Sequence, residues 1–351
     1  MPPSGKTALI ERIVEKISDS PGSSLPFAAF MELVLYDPDS GYYASNSDQR
    51  VGRDGDFFTS VSVGECFGKL LAAHFLSAAP TLHQVVEQGA NDGQLARDLL
   101  THLPPGIDYI IVEPFPAMRE LQRQKLAGQT GIRWVESLDQ IDGGITGRFV
   151  CNELLDAFPV ERVRRRAAGW TQIHIDRQFE EIEVEITDPQ LAAEVSAVLG
   201  QRDLPEGYTT EIHLRANEWI TQMLDHLRPG SAATVIDYGH EADDYYSVER
   251  RDGTLRGFRD HKQVTDLFAE IGETDLTASV NFTRLAEFAG RSTVIDQHHF
   301  LIEAARPWLA EIESRGEAPD EQTQALLRQF NTLIHPGLMG RSFKVLEITA
   351  A

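Results

Sequence analysis

The stretch VVEQGANDGQLARDLL, Val85 to Leu100, constrains this chain more than any other. An apolar, β-prone run turns through Gly89 and Gly93 into an amphipathic segment, which predicts a strand, a tight turn and a helix. Glycine opens backbone conformations closed to other residues, and the start of a helix presents free N–H groups, so a ligand can lie close to such a turn. Downstream, YIIVE (Tyr109 to Glu113) is a second strand. It ends on an acid followed at once by Pro114, which lacks an N–H and stops the ladder. An acid ending the second strand of such a unit can accept from both ribose hydroxyls. Turn and acid together call for an adenosine-containing cofactor.

The turn reads Glu87-Gln88-Gly89-Ala90-Asn91-Asp92-Gly93. A pyrophosphate cofactor would want G-x-G-x-x-G, and here the middle glycine is absent. Asp92 stands where a phosphate would be repelled. S-adenosylmethionine carries adenosine, a sulfonium cation and an amino-acid tail, and acids beside it are favourable; Glu87 is a candidate for its cationic end. An ordinary strand-to-helix turn and an exposed strand-end acid are the plainer explanations of the same residues. Their conjunction favours the cofactor.

The surrounding chain is α/β. QVVEQ, DYIIVE, IRWVES and RFVCN are strands, separated by helices over Gln94–Leu100 and Pro116–Leu126, and such alternation means parallel strands with right-handed crossovers. Before them, Leu9, Ile10, Ile13, Val14 and Ile17 mark an amphipathic helix ended by Pro21-Gly22, and a second helix is expected from about Ser24, with Pro26 in its first turn. Residues 1–70 read as a helical extension with a covering loop, and 71–160 as the first part of the core. Residues 161–215 read as an inserted antiparallel subdomain, with Ala168-Gly169 as a hairpin turn. The remainder, 216–351, resumes the core with a helix over Asn217–Leu227 and the strand AATVIDYG. A polar, irregular insertion follows at about 240–280, then a helix over Val280–Ala289 and the closing strand FKVLEI.

Composition narrows the partners. At 351 residues the chain can hold one large core with insertions or two domains. A net charge of −22 argues against a nucleic-acid binder, serves solubility and permits a basic protein partner. Cys66 and Cys151 are the only cysteines, both in apolar surroundings, and read as reduced thiols of a cytosolic protein. No apolar run reaches transmembrane length, and the N-terminus carries no secretory h-region.

Other candidate residues gather at strand ends. Cys151-Asn152-Glu153-Leu154-Leu155-Asp156 closes the fourth strand, where open α/β sheets bind ligands. The Asn152 amide with the Glu153 and Asp156 carboxylates could anchor a substrate nitrogen and aim its lone pair; helix capping by Asn152 is the alternative. GRDGDFFTS, with Gly55, Asp56, Thr59 and Ser60, is either a turn with a helix cap or a loop over a site. His240 and His261, in polar loops, are candidate proton acceptors. His298 and His299 are adjacent, which splits their directions, and no H-x-x-x-H or C-x-x-C spacing predicts a metal. No G-x-S-x-G elbow or G-x-x-x-x-G-K-[ST] loop is present. Arg162, Arg164, Arg165 and Arg166 form a basic island, expected at a solvated strand edge.

Taken in order, PFAAFMELVLYDPDSGYY, GRDGDFFTS, CNELLDAFPVERV, IDYG, DLTASVNFTRLAEFA and HPGLMGRSFKVL resemble motifs of the MidA-like methyltransferases, from about Pro26 to Leu346. The resemblance implies a Rossmann-like class I methyltransferase sheet with an N-terminal helical extension and an inserted α+β subdomain, and S-adenosylmethionine as cofactor. It implies a protein acceptor, with arginine suggested by the mitochondrial complex I assembly member. By resemblance, Gly55, Asp56, Thr59 and Ser60 enclose the cofactor, Glu113 is the second-strand acid, Asn152, Glu153 and Asp156 lie beside the methyl group, and Asp237-Tyr238-Gly239 ends a core strand. One departure stands out: the family's Gly-Pro-Gly-x-Gly turn is Gly-Ala-Asn-Asp-Gly here, with Asn91 in place of the middle glycine. With no mitochondrial-type presequence, a bacterial cytoplasmic protein is expected, or a matrix protein if a presequence has been removed. A binding or assembly factor that keeps the fold without turnover is the rival expectation, and a nicotinamide oxidoreductase is disfavoured by the missing glycine.

Overall fold

The structure is a computed structural model that describes residues 4–45, 59–79, 81–259, 262–337 and 339–350. Its centre is a twisted sheet of seven long strands, taken here in chain order: Gln84–Gln88, Asp108–Val112, Ile132–Val135, Arg148–Asn152, Ala232–His240, Ser292–Asp296 and Phe343–Thr349. Their spatial order is sixth, seventh, fifth, fourth, first, second, third. The first five run parallel to one another, and the seventh lies antiparallel between fifth and sixth.

Alternation along each strand explains the layers. Val85, Tyr109, Ile111, Val150 and Ile236 face a helix layer through Phe67, Leu70, Leu71, Phe75, Leu95 and Leu99. Val86, Ile110, Phe149, Cys151 and Val235 face the opposite layer through Ile220, Met223, Phe282 and Leu285. Strands buried on both faces read as continuous apolar runs, as these do. The chain leaves the first strand toward the second and third, then returns to the fourth on the other flank. The sheet therefore reverses its order between the first and fourth strands, and beyond their carboxyl ends is where sheets of this kind hold a ligand crevice.

The four core strands expected from the sequence fall where predicted, as do the helices Gln94–His102 and Pro116–Lys125. Elsewhere the structure differs. Ser24–Pro26 is not the start of a helix; it is a short strand paired with Gly169–Asp176, and the helix Phe27–Tyr36 follows. The residue before a proline is driven to extended backbone, which suits a strand and resists a helix. The subdomain strands are Glu161–Arg166, Gly169–Asp176, Glu181–Glu185 and Thr209–Ile212, with a helix Pro189–Leu199 among them; the hairpin turns at Ala167-Ala168, one residue earlier than expected. The arginine strand lies inside this sheet, between Gly169–Asp176 and Thr209–Ile212, not at an edge. Three of its four charges are matched: Arg164 reaches Glu181 at 2.8 Å and Glu183 at 3.1 Å, while Arg162 pairs with Glu181 and the half-exposed Arg166 with Glu183; Arg165 lies over the Trp170 ring at 5.9 Å.

The polar insertion is ordered as well. Arg256–Arg259, Lys262–Val264 and Asp275–Thr277 make a three-stranded sheet, Val280-Asn281 pairs with the end of the fifth core strand, and the helix begins only at Phe282, where Asn281 caps it. The sixth strand and the helices Gln297–Ser314 and Glu321–Ile334 had no clear signal; their apolar residues are interrupted by charges and, in the first helix, by Pro307. Among the described residues no helix is long and apolar enough to cross a membrane.

Ile175 is fully buried, pairs with Leu25 and packs in the cluster that ties the N-terminal helices to the subdomain. Ile175→Ala is expected to cost about 2–4 kcal/mol in urea unfolding and to expose the first forty residues to limited proteolysis.

Candidate active site

The crevice is built from four strand ends. After the first, Gly89, Asn91 and Gly93 take φ of +75°, +47° and +87°. A side chain at Gly89 would also meet Leu154 Cδ1 at 2.9 Å. Asn91, which stands where the family has its middle glycine, takes a left-handed conformation, which asparagine tolerates better than most residues. Asp92 caps the following helix through Gln94 N–H at 3.0 Å and pairs with Lys125 at 2.9 Å. Glu87 is buried on the first strand, where it accepts from the Tyr109 hydroxyl at 2.6 Å. Burial, with help from Asp92 and Asp98, pushes its carboxyl up to about 7 against the opposing hydrogen bond from Tyr109.

Glu113 continues the second strand, its N–H bonded to Val135 O at 2.9 Å. Its carboxylate accepts from Phe115 N–H at 3.0 Å and from Gln122 Nε2 at 3.1 Å; burial raises its pKa and those bonds oppose the rise. Gln122 also donates to Asn91 O at 2.8 Å and accepts from Trp134 Nε1 at 2.9 Å, so one buried amide joins the glycine turn to the strand-end acid. Sequence reading missed Gln122. Its signal was a polar residue four positions after Met118, on the one buried face of its helix.

The fourth strand ends in a strained corner. Glu153 has φ +53°, uncommon for a residue with a side chain. Asp237, fully buried, holds the corner: its Oδ2 accepts the N–H groups of Leu154, Leu155 and Asp156 at 3.1, 2.7 and 3.3 Å, while Glu153 N–H donates to Ile236 O at 2.9 Å. No helix follows before the strand at Glu161, so Asn152 is not a helix cap. Its Nδ2 donates to Glu153 Oε1 at 2.8 Å, and its Oδ1 is buried without a partner. Burial and the nearby Asp156 push Glu153 up to about 8, opposed by Asn152 and the Ser60 N–H. Burial pushes Asp156 up to about 6, opposed by the Ala157 N–H and by Arg256. Among the described residues neither acid has an ion pair.

The covering loop is partly placed. Ser60 is buried, gives its hydroxyl to Gln297 Oε1 at 3.1 Å and its N–H to Glu153. Thr59 closes a turn by accepting from Ser62 N–H at 3.0 Å. Neither caps a helix: the next one starts at Cys66, whose N–H is met by Gln329. Gly55 and Asp56 lie outside the described residues, as does His261. His240 is bound at 2.6 Å to Asp244, with Arg250 at 3.4 Å. Burial lowers its pKa first, and Arg250 lowers it further. His298 and His299 do not diverge; their rings lie 3.9 Å apart. With Asp296 they form a group whose ligand atoms lie within 4.8 Å of one another, but Asp296 is paired with Lys344 and His298 Nδ1 with Gly340 O at 2.8 Å.

Comparison with known proteins decides the family. The profile of a family described as "Putative S-adenosyl-L-methionine-dependent methyltransferase" matches residues 67–300. A crystal structure from Burkholderia thailandensis, bound to S-adenosylhomocysteine, is 30% identical, with a TM-score of 0.84 over 98% of this chain and 92% of that one. The chain belongs to the MidA-like methyltransferases. Proteins named "Protein arginine methyltransferase NDUFAF7, mitochondrial" from Xenopus laevis and Homo sapiens are each 26% identical, over 97% and 96% of this chain and 84% and 82% of their own.

The MidA-like chain is thus an S-adenosylmethionine-dependent methyltransferase of class I fold. The residues suit that cofactor. The turn has the backbone form of a glycine-rich loop without a phosphate site, a carboxylate ends the second strand, and a buried acceptor, Asn152 Oδ1, stands unused at the crevice.

Glu153 bears on stability. A carboxyl raised on folding favours the fold below its unfolded value of 4.5, and that benefit is lost as pH climbs through about 8. Glu153→Gln is expected to raise Tm by about 2–4 °C at pH 8.5 and by much less at pH 5, measured by differential scanning calorimetry.

Proposed function

We propose that this methyltransferase acts on the guanidinium of an arginine in a protein. One observation carries the reading: Glu153 and Asp156 are buried, Asp156 raises Glu153, and among the described residues neither has an ion pair, although Arg256 lowers Asp156, beside the unpartnered Asn152 Oδ1. Burial destabilises both carboxylates and Asp156 destabilises that of Glu153 further, and a planar cation relieves both costs while meeting the free acceptor. The names of the NDUFAF7 relatives and the net charge of −22 agree with a basic protein acceptor.

Roles follow from position. Gly89, Gly93 and the Asn91 backbone shape the bed of the cofactor, Glu113 takes the ribose hydroxyls, and Glu87 acts through its field from the first strand. Thr59 and Ser60, continuing from Gly55 and Asp56, close over the cofactor. When bound, S-adenosylmethionine supplies an electrophilic methyl carbon and leaves as a neutral thioether. Glu153 and Asp156 grip the guanidinium, Asn152 Oδ1 accepts an N–H from the nitrogen to be methylated, and a carboxylate of the pair takes the one proton displaced per methyl. Orientation and charge placement are the main contributions such a site can make. His240 is committed to Asp244, which leaves the acids as the proton acceptors. The buried free thiols of Cys66 and Cys151 suit a reducing compartment, the bacterial cytoplasm or the mitochondrial matrix.

Incubation of cell extract with the enzyme and isotopically labelled S-adenosylmethionine, followed by mass spectrometry, is expected to place label on arginine side chains of a protein. Label confined to small molecules or to other residues would exclude this acceptor. Glu153→Gln is expected to lower kcat by about 10²-fold or more while S-adenosylhomocysteine affinity stays within about threefold. Because the carboxylates must be charged to hold a cation, kcat/KM is expected to rise as pH passes from about 6 to about 8, and the upper part of that rise should vanish in the variant.

A further inference from the structure

An aromatic surface beside the acid pair has no role in the chemistry above. Tyr36 ends the helix Phe27–Tyr36, and Asp37 then turns the chain, accepting Ser40 N–H at 3.0 Å and, through its carbonyl, Gly41 N–H at 2.9 Å. The turn brings Tyr43 back on Tyr36, with ring centres 5.3 Å apart and planes 23° from parallel. Tyr36 is also parallel, within 7°, to Phe115 at 6.3 Å, the residue just past Glu113-Pro114. The rings are tied to the acid corner. Tyr36 Oη donates to Ala157 O at 2.8 Å, next to Asp156, and Tyr43 Oη donates to Asp275 Oδ1 at 3.3 Å. The loop after Asp275 returns to the same corner, where Ala278 N–H donates to Asp156 O at 2.8 Å.

Acids dominate the charges around this wall, with Arg215 opposing them at Tyr36. Burial, then the carboxylates of Asp275 and Asp156, keep both phenols neutral. Neutral π faces framed by two carboxylates attract a flat cation. Among the described residues no lysine or arginine stands over Tyr36, Tyr43 or Phe115, although six such pairs occur elsewhere, among them Arg162 on Phe27 and Lys69 on Trp308.

We propose that Tyr36, Tyr43 and Asp275 form the wall that selects a planar cationic acceptor, the rings stacking on the guanidinium while Asp275 fixes the outer ring. The inference rests on the arginine reading and adds the residues that would make the enzyme prefer arginine to lysine. The N-terminal extension then completes the acceptor site rather than serving only as packing.

The test is calorimetric binding to the full chain loaded with S-adenosylhomocysteine, using the blocked tripeptides Gly-Arg-Gly, Gly-Lys-Gly and Gly-citrulline-Gly. The wild type is expected to bind the arginine peptide best. Tyr43→Leu and Tyr36→Leu should each weaken that binding about tenfold and bring it close to the lysine peptide, with S-adenosylhomocysteine affinity within about twofold. Tyr43→Phe keeps the ring, guards against misfolding, and should bind within about threefold of wild type. Asp275→Asn should lower the arginine preference. An unchanged arginine preference in both leucine variants, or a loss confined to S-adenosylhomocysteine affinity, overturns the wall. A wild type that binds the arginine and citrulline peptides alike overturns the arginine reading itself.

Discussion

The whole site hangs on one buried carboxylate. Asp237 is fully enclosed, yet its Oδ2 receives three successive backbone N–H groups, those of Leu154, Leu155 and Asp156. Those bonds bend the chain sharply after the fourth strand and force Glu153 into its left-handed conformation. Without them the corner would relax, Glu153 and Asp156 would separate, and Leu154 would withdraw from the glycine turn that it touches. A strained backbone persists only where its surroundings over-determine it, and Asp237 supplies that determination from the neighbouring strand. The cost is electrostatic: burial raises all three acids, and the charge of Asp156 raises Glu153 and Asp237 further.

That cost gives the site its character. Carboxyls that are partly protonated and, among the described residues, have no ion pair would repel anions and discharge their strain onto the proposed cation. The same logic separates the two halves of the crevice. On the cofactor side, Gln122 pins Glu113 to the Asn91 turn by neutral hydrogen bonds. On the proposed acceptor side, Glu153 is held among the described residues by the Asn152 amide and the Ser60 N–H, which would leave its charge for a ligand. The Ser60–Gln297 contact links the covering loop to the far edge of the sheet and brings the Ser60 N–H to Glu153.

Much of the core was legible because its signals are local. Continuous β-branched runs at Val85, Ile110 and Val150 mark strands buried on both faces, and Gly89, Pro114 and Pro116 punctuate them. The acids at 113, 153 and 156 could be placed because strand ends are where such sheets gather polar groups. What escaped depends on distant partners. Ser24–Pro26 is a strand only because Gly169–Asp176 lies beside it, and the arginine island is interior only because Glu181 and Glu183 arrive from another strand. Gln122 and Asp237 looked like ordinary helix and strand residues; their importance comes from what the fold sets opposite them. Asn91 was the one apparent defect in the glycine turn, and its backbone shows that the turn survives the substitution.

On the proposed reading, a cationic acceptor ionises a carboxyl pair that the free site keeps partly protonated. That reading is tested most directly by the protons exchanged when blocked Gly-Arg-Gly binds the S-adenosylhomocysteine complex at pH 7, measured by calorimetry in buffers of differing ionisation enthalpy. With Glu153 near 8 and Asp156 near 6 before binding, close to one proton should be released in the wild type and almost none in Glu153→Gln. Binding with no proton release in the wild type would contradict the account.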